Sequence, residues 1–392
     1  MAKEIGEMKV KKDWEIKKLG EVGTFVRGGN FSKKDFVENG FPCIHYGQIH
    51  TKFGIETLRH ISSVPSEMVK SDRCAKKGDL VIAITSEDDA GSCKCTTWMG
   101  DYDVYVGGHI AIYHHTMQPK YVSYYFNSPQ FQKAKLEFTH GFKVVEINPN
   151  DIAKITIPVP PLEEQKRIVI ILDQKFAEIE KLKTNAQTQL QNAKNLFQAE
   201  LEKQFGLQNP ECRIVKLDEV AKKIFAGGDA PKTNYSKTKT KEYQIPIYAN
   251  AIKDNGLYGY TDNPEVLESA VTVAARGSGT GYVIERNEPF LPIVRLIVVI
   301  PKKEILINSY LFYTLKRLPI KHSGSAIPQL TVPMIKEYSI PIPPLPEQKR
   351  IVKELDTLSE KVRQLQEIYT KQIANCDELK QAYLQKAFEG EL

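Results

Sequence analysis

Apolar residues recur every seven positions through the last part of the chain. One row holds Ile351, Leu358, Leu365, Gln372 and Leu379, and a second holds Leu355, Val362, Tyr369, Cys376 and Tyr383. Two narrow rows kept up for more than four heptads predict a coiled-coil helix; a helix lying on its own module would show a wider apolar face. Positions 183 residues earlier repeat the pattern more weakly, as Ile168, Lys175, Leu182, Gln189, Leu196 and Leu172, Ile179, Ala186, Ala193, Glu200. The alanines there let another helix approach closely, whereas Lys175 and Glu200 interrupt the rows. Gln189 and Gln372 share a level, where a buried polar side chain fixes register at some cost in stability. The expected seam is Ile168, Leu172, Ile179 and Leu182 on one helix, with Ile351, Leu355, Leu358, Val362, Leu365 and Tyr369 on the other. Pro160-Pro161 and Pro343-Pro344 exclude helix before them, while Glu163, Glu164, Glu347 and Pro346 suit a first turn. Each helix can run about 40 residues, or roughly 60 Å at 1.5 Å per residue.

Elsewhere the pattern is one of short strands and turns. Residues 41–46, 79–84 and 109–113 read as strands in the first part of the chain, and residues 245–248, 270–275 and 293–300 in the second. A helical stretch follows in each, near residues 121–136 and 309–318. Glycine turns fall at Gly107-Gly108, Gly227-Gly228 and residues 277–281. No regular βαβ alternation appears, so the expected class is α+β with mixed or antiparallel sheet.

These elements belong to a duplication. Residues 157–173 read IPVPPLEEQKRIVIILD and residues 340–356 read IPIPPLPEQKRIVKELD, identical at thirteen of seventeen positions. Upstream, WEIKKLGEV at residues 14–22 answers CRIVKLDEV at residues 212–220, and FVRGG at 25–29 answers IFAGG at 224–228. The repeat far exceeds the roughly 20–50 residues of a solenoid unit. The chain therefore divides into a module over residues 1–161, a helical arm over 162–205, a second module over 206–344 and a second arm over 345–392. A duplicated module suggests a protein that engages two sites.

Composition narrows the class. No run reaches the ~18 apolar residues of a membrane helix, the charged first residues do not resemble a signal peptide, and six dispersed cysteines without a CxxC pair point to a reduced, cytoplasmic protein. The net charge of +6 is uneven: residues 1–161 carry +2, 162–211 carry −1, 212–344 carry +6 and 345–392 carry −1. The positive excess thus lies in the modules, the second above all, and favours a polyanionic partner there.

Catalytic signatures are missing. The cluster Arg276-Gly-Ser-Gly-Thr-Gly281 lacks the Lys-Ser/Thr pair of a phosphate loop. Asn148-Pro149-Asn150-Asp151 lacks the second proline and the stacking aromatic of an amino-methyltransferase loop. Seven of eight histidines and four of six cysteines fall within residues 43–140, including Cys93, Cys95, His109, His114 and His115. A zinc site there is one reading; dispersed core cysteines and surface histidines are the other.

At PPLEEQKRIVIILD and PPLPEQKRIVKELD, and at the start WEIKKLGEV, the chain resembles the specificity subunit of type I restriction–modification systems, over nearly its whole length. The resemblance implies two similar α/β target-recognition domains separated by a long antiparallel two-helix coiled coil, related by an internal pseudo-twofold. It further implies double-stranded DNA as ligand, two methyltransferase subunits as partners and, in the restricting form, two motor-nuclease subunits. S-adenosylmethionine, ATP and Mg²⁺ would belong to those partners, leaving this chain non-catalytic and without cofactor or metal. Each domain would then read one half of a bipartite target.

Base readout calls for side chains that reach base edges, such as Arg or Lys for guanine and Asn or Gln for adenine. In the first module the candidates are Lys33, Lys34, Tyr46, Gln48, Thr85, Ser86 and Lys143. In the second they are Tyr248, Asn250, Arg276, Ser278, Ser323 and Gln329. Lys232, Asn234, Lys237, Lys239 and Lys241 form a hydroxyl-rich basic run suited to phosphate contact. Three alternatives stand beside this reading: an orphan DNA-binding relative without enzyme partners, a coiled-coil scaffold whose modules bind protein, and a metal-dependent nucleic-acid enzyme using the Cys/His group of the first module.

Overall fold

Alternating and continuous apolar runs build two sheets in each half of the chain. The computed structural model describes residues 10–11, 13–141, 144–205, 212–318 and 329–392. They form two units, Met1–Ala186 with Lys371–Leu392, and Gln187–Thr370.

In the first unit a five-stranded sheet runs in the order Gly23–Arg27, Ile110–His115, Leu80–Ala83, Cys95–Trp98, Glu56–Thr57. Leu80–Ala83 is buried on both faces, as its unbroken apolar sequence requires, and Cys95–Trp98 is buried beside it although two threonines interrupt its apolar residues. A four-stranded sheet runs Ser62–Val64, Phe41–Ile44, Val104–Val106, Cys74–Ala75. The second unit repeats the plan with Ala221–Ala226, Ile297–Pro301, Ala270–Val273 and Val283–Arg286 in one sheet. Its other sheet holds Tyr235–Ser236, Leu257–Thr261, Ile245–Tyr248 and Leu291–Pro292. In both units the opening strand pairs with the one before the long helix, Glu15–Lys18 with Thr156–Val159 and Arg213–Lys216 with Ser339–Ile342.

The repeated motif is explained by how it ties each long helix to its module. Gln165, buried in the first turn of Leu162–Gln204, accepts from Gln118 N–H at 2.9 Å and donates to the Pro160 carbonyl at 2.8 Å. Gln348, in Leu345–Glu389, accepts from Ile307 N–H at 2.9 Å and donates to the carbonyls of Ile305 and Pro343 at 2.8 and 2.9 Å. Asp173 accepts the Tyr124 hydroxyl, and Asp356 the Tyr313 hydroxyl. The Tyr121 and Tyr310 hydroxyls donate to the carbonyls of Pro158 and Pro341, each at 3.0 Å. Ile168, Val169 and Leu172 join the first core, and Ile351 and Leu355 the second.

Four sequence expectations are corrected. Residues 121–136 form two helices, Pro119–Phe126 and Pro129–Ala134, because Ser128 caps a new start ahead of Pro129. The strand beginning at Phe41 stops at Ile44, and Tyr46 opens a short helix, Tyr46–Thr51. The strand expected over 293–300 begins only at Ile297, since Val294 and Arg295 take left-handed φ of 53° and 60°. The seam is displaced as well. Leu172, Ile179, Ala186 and Ala193 are buried, as are Leu355, Val362 and Cys376, with Leu358, Leu365 and Tyr369 half-buried. Leu182 is 58% exposed, and Gln189 and Gln372 face solvent, so no shared polar level lies in the seam.

The row that starts at Ile168 and Ile351 instead continues one residue on: Val169, Phe176, Lys183, Leu190 and Phe197, with Val352, Ser359, Gln366, Ile373, Lys380 and Ala387. Hydropathy hides this register because lysine stems fill part of it. Within the first unit Lys183 reaches Asp377 at 2.6 Å and Lys380 reaches Glu180 at 2.7 Å. The Lys380 ammonium also sits 5.9 Å from the centroid of the Phe176 ring. Glu180 with Lys380, and Lys183 with Asp377, can meet only if the helix segments run antiparallel there.

Candidate nucleic-acid interface

Side chains from five separate segments converge in the first unit. Lys33, Tyr46, His50, Thr85, Ser86, Lys94 and His109 line an open cleft of about 1160 Å³. His45 caps the helix that carries Tyr46, its ring nitrogen accepting from Gly47 N–H at 3.2 Å. Gln48 is spent on the same cap: its carbonyl accepts from His45 N–H at 2.9 Å and its amide donates to Ser62 Oγ at 2.8 Å. It is therefore bound inside the module rather than offered to a ligand. The Tyr46 ring lies 4.5 Å from that of His45 and 5.2 Å from that of His109.

Thr85-Ser86 pairs antiparallel with Val145-Glu146 at the cleft's edge; Thr85 itself is buried, and its carbonyl is 3.3 Å from His50 Nε2. The Lys94 ammonium donates to the His50 carbonyl at 2.8 Å. Glu87 and Asp88 share the lining, so the cleft is mixed in charge. Tyr46 and His109 also border a neighbouring cleft of about 880 Å³ with Arg27, Lys70 and Arg73. There Arg27 is held by Glu146 and the Gly108 carbonyl, both at 2.9 Å, and Arg73 by the Gly28 carbonyl at 2.7 Å. Lys34 is exposed on the 3-10 turn Lys33–Asp35, and Lys143 lies outside the described residues.

Backbone register aligns the second unit with the first. Ile147 N–H bonds the Ile84 carbonyl at 3.0 Å, as Leu330 N–H bonds the Ala275 carbonyl at 2.8 Å. Gly107 N–H bonds the Ile44 carbonyl at 3.0 Å, as Ile293 N–H bonds that of Tyr248 at 2.9 Å. Arg276 thus occupies the place of Thr85, Gln329 that of Glu146, and Asn250 that of Tyr46. Asn250 braces the loop, its oxygen accepting from the N–H groups of Ala275 and Arg276 and its amide donating to the Arg276 carbonyl at 3.1 Å. The Arg276 guanidinium reaches Gln329 Oε1 at 3.5 Å, so these three candidates are brought together.

Tyr248 is not: it is buried, donates to Glu288 at 2.6 Å, and lies under the Arg286 guanidinium, 3.5 Å from the ring centroid. Burial pushes its phenol up to about 12. The Ser278 side chain and Ser323 lie outside the described residues. Lys232, Lys239 and Lys241 are exposed, and Asn234 turns the chain at φ 60°. Lys237 sits 3.3 Å from the centroid of the Tyr258 ring, which stacks on Tyr235 at 5.8 Å.

No group of three or more His, Cys, Asp or Glu capable of holding a metal occurs among the described residues. Cys93 and Cys95 are buried, and burial pushes both thiols up to about 12, so neither readily supplies a thiolate. His50, Lys94 and Arg73 carry no signal in the sequence, and His109 reads there only as a zinc candidate, because only the fold brings them beside Tyr46. The Gly-Gly turns were the one visible marker near them.

The chain is similar to a type I specificity subunit of Mycoplasma pneumoniae, S.MpnORF507P, at 35% identity over 213 residues. That match covers 54% of this chain and 58% of the relative's length. Among solved structures, a chain from a study of complex assembly and conformational transition of the type I R-M system aligns with a TM-score of 0.82 at 22% identity, covering 98% of this chain and all of that one. The HsdS subunit from Thermoanaerobacter tengcongensis aligns with a TM-score of 0.61 at 21% identity, covering 99% of each. The family described as type I restriction modification DNA specificity domain matches twice, over residues 11–190 and 210–373. With one match in each half of the duplication, this chain belongs to the DNA specificity family of type I restriction–modification systems and is a specificity subunit.

Proposed function

We propose that this chain is the non-catalytic DNA reader of a cytoplasmic type I complex, each unit reading one half of a bipartite target. The observation that carries this is a shared backbone frame bearing different side chains. The anchors are the same in both units, Gln165 and Gln348, Asp173 and Asp356. The rim differs, with Tyr46 against Asn250, Thr85 against Arg276 and Glu146 against Gln329. Two readers of unlike half-sites need that combination. S-adenosylmethionine, ATP and Mg²⁺ are assigned to partner subunits, so the purified chain should neither methylate nor cleave DNA. The test is to map methylated sites in a host expressing this chain with its methyltransferase. A two-part motif supports the reading, and a methylated motif with a single contiguous half contradicts it.

The long helices also fit docking of two identical methyltransferase subunits, joined in the restricting form by two motor-nuclease subunits. Leu182, Gln189, Asn192, Leu196, Ala199 and Lys203 recur 183 residues later as Leu365, Gln372, Asn375, Leu379, Ala382 and Lys386. All are exposed except Leu365, which is half-buried. The middle of the seam diverges meanwhile, as Ile179 against Val362, Ala186 against Tyr369 and Ala193 against Cys376, although Ile168, Leu172 and Leu201 recur as Ile351, Leu355 and Leu384. An exposed stripe that packing does not require, repeated at one spacing, fits one partner bound twice. Leu196→Glu with Leu379→Glu should leave the melting temperature of the isolated chain unchanged and abolish co-purification with the methyltransferase. Retained assembly would remove these stripes from the interface.

A further inference from the structure

One strained turn in the second unit is used by none of these contacts. Val294 and Arg295 lie consecutively in left-handed backbone, a region that non-glycine residues seldom enter and β-branched residues least. The turn is locked from behind: Val294 N–H donates to the Gly228 carbonyl at 2.7 Å, and Arg295 N–H to that of Gly227 at 3.0 Å. A Cβ on Gly227 would lie 2.5 Å from the Pro292 carbonyl, so the glycine is what lets the two backbones meet. In the first unit a Cβ on Gly28 would lie 2.2 Å from the Gly107 carbonyl, which makes the duplicated Gly-Gly pair the platform of the turn in both.

Register equates Gly107-Gly108-His109 with Ile293-Val294-Arg295. Ile110 N–H bonds the Gly107 carbonyl at 2.9 Å, and Leu296 N–H bonds that of Ile293 at 3.1 Å. The first unit makes this turn with glycines and no left-handed φ, presenting His109 to the cleft beside Tyr46. The second presents Arg295 at the same place, exposed, with no side-chain hydrogen bond or ion pair among the described residues. Val294 is 49% exposed, so core burial does not offset the strain. A phosphate contact would need only a nearby positive charge. A turn that fixes the direction in which the side chain leaves the backbone is useful where geometry is read, and the guanidinium fork matches the O6 and N7 acceptors of guanine.

We propose that Arg295 is a base-reading residue of the second unit, its guanidinium hydrogen-bonding a guanine edge in the major groove. This rests on the DNA-reading function proposed above. The experiment is methylation-site mapping of the complex carrying the wild-type chain, Arg295→Ala or Arg295→Lys. Arg295→Ala should make one G·C position of the second unit's half-site degenerate, with discrimination there falling by about 5- to 150-fold. The other half should stay intact. Arg295→Lys should restore overall DNA affinity but only part of that discrimination, because an ammonium lacks the planar two-pronged fork. An unchanged motif in Arg295→Ala, or uniform weakening that lysine fully repairs, overturns the assignment. A wild-type complex without a bipartite motif overturns the functional reading itself, whereas an intact wild-type motif with an unaltered alanine variant removes Arg295 alone.

Discussion

Two neighbouring residues of the second unit have separable roles. Asn250 holds the loop through three hydrogen bonds, whereas Arg276 is exposed and, among the described residues, reaches Gln329 through its guanidinium. Asn250→Ala leaves backbone groups unpaired, and should cost about 1–3 kcal/mol in urea unfolding. Arg276→Ala should cost under about 0.5 kcal/mol while altering one half-site in methylation mapping. Reversal of that pattern would place the reading surface elsewhere. His115 gives a pH signature in the first unit. Among the described residues neither ring nitrogen makes a well-formed hydrogen bond, and burial lowers its pKa to about 4, with Asp79 and the Met117 backbone opposing the shift and His114 reinforcing it. The folded state therefore resists protonation that the unfolded chain accepts near pH 6.5. Stability should fall as pH drops from about 6.5 to 4 and level off below, on the order of 3 kcal/mol in total. His115→Phe should flatten this decline in pH-dependent denaturation. A parallel decline in the variant would assign it to other groups.

At the scale of elements, the repeated motif acts as a clamp between each helix and its module. Gln165→Leu would leave Gln118 N–H and the Pro160 carbonyl unpaired in a buried site, and Gln348→Leu would strand three backbone groups. Each should destabilise by about 2–4 kcal/mol, measurable by denaturant unfolding, and the effects should add because the sites lie in separate units. Both helices, their starts and the duplication were legible in the sequence, since proline pairs and 13 of 17 identical positions leave little else. One seam row was legible too. The other was not, because Leu182, Leu196 and Leu379 attract a hydropathy reading while Lys183 and Lys380 supply the buried stems. The rim was half legible. Asn250, Arg276 and Gln329 come together as polar loop positions suggested. Gln48 and Tyr248 were lost to internal hydrogen bonds that depend on Ser62 and Glu288, distant in sequence.

For the whole molecule, the DNA-reading function proposed above makes the long helices the ruler between half-sites. Each helix begins in one unit and ends in the other, without interruption over 43 and 45 residues. A continuous helix transmits length and rotation together, about 1.5 Å and 100° per residue. Seven added residues nearly restore the facing side, so a seam can re-form, whereas two or three misalign it. The most direct measurement is therefore methylation-site mapping of complexes with matched seven-residue insertions in both helices. The predicted result is unchanged half-site sequences separated by a longer spacer, with two- or three-residue insertions abolishing recognition. An unchanged spacer in a folded, active insertion complex would contradict the account.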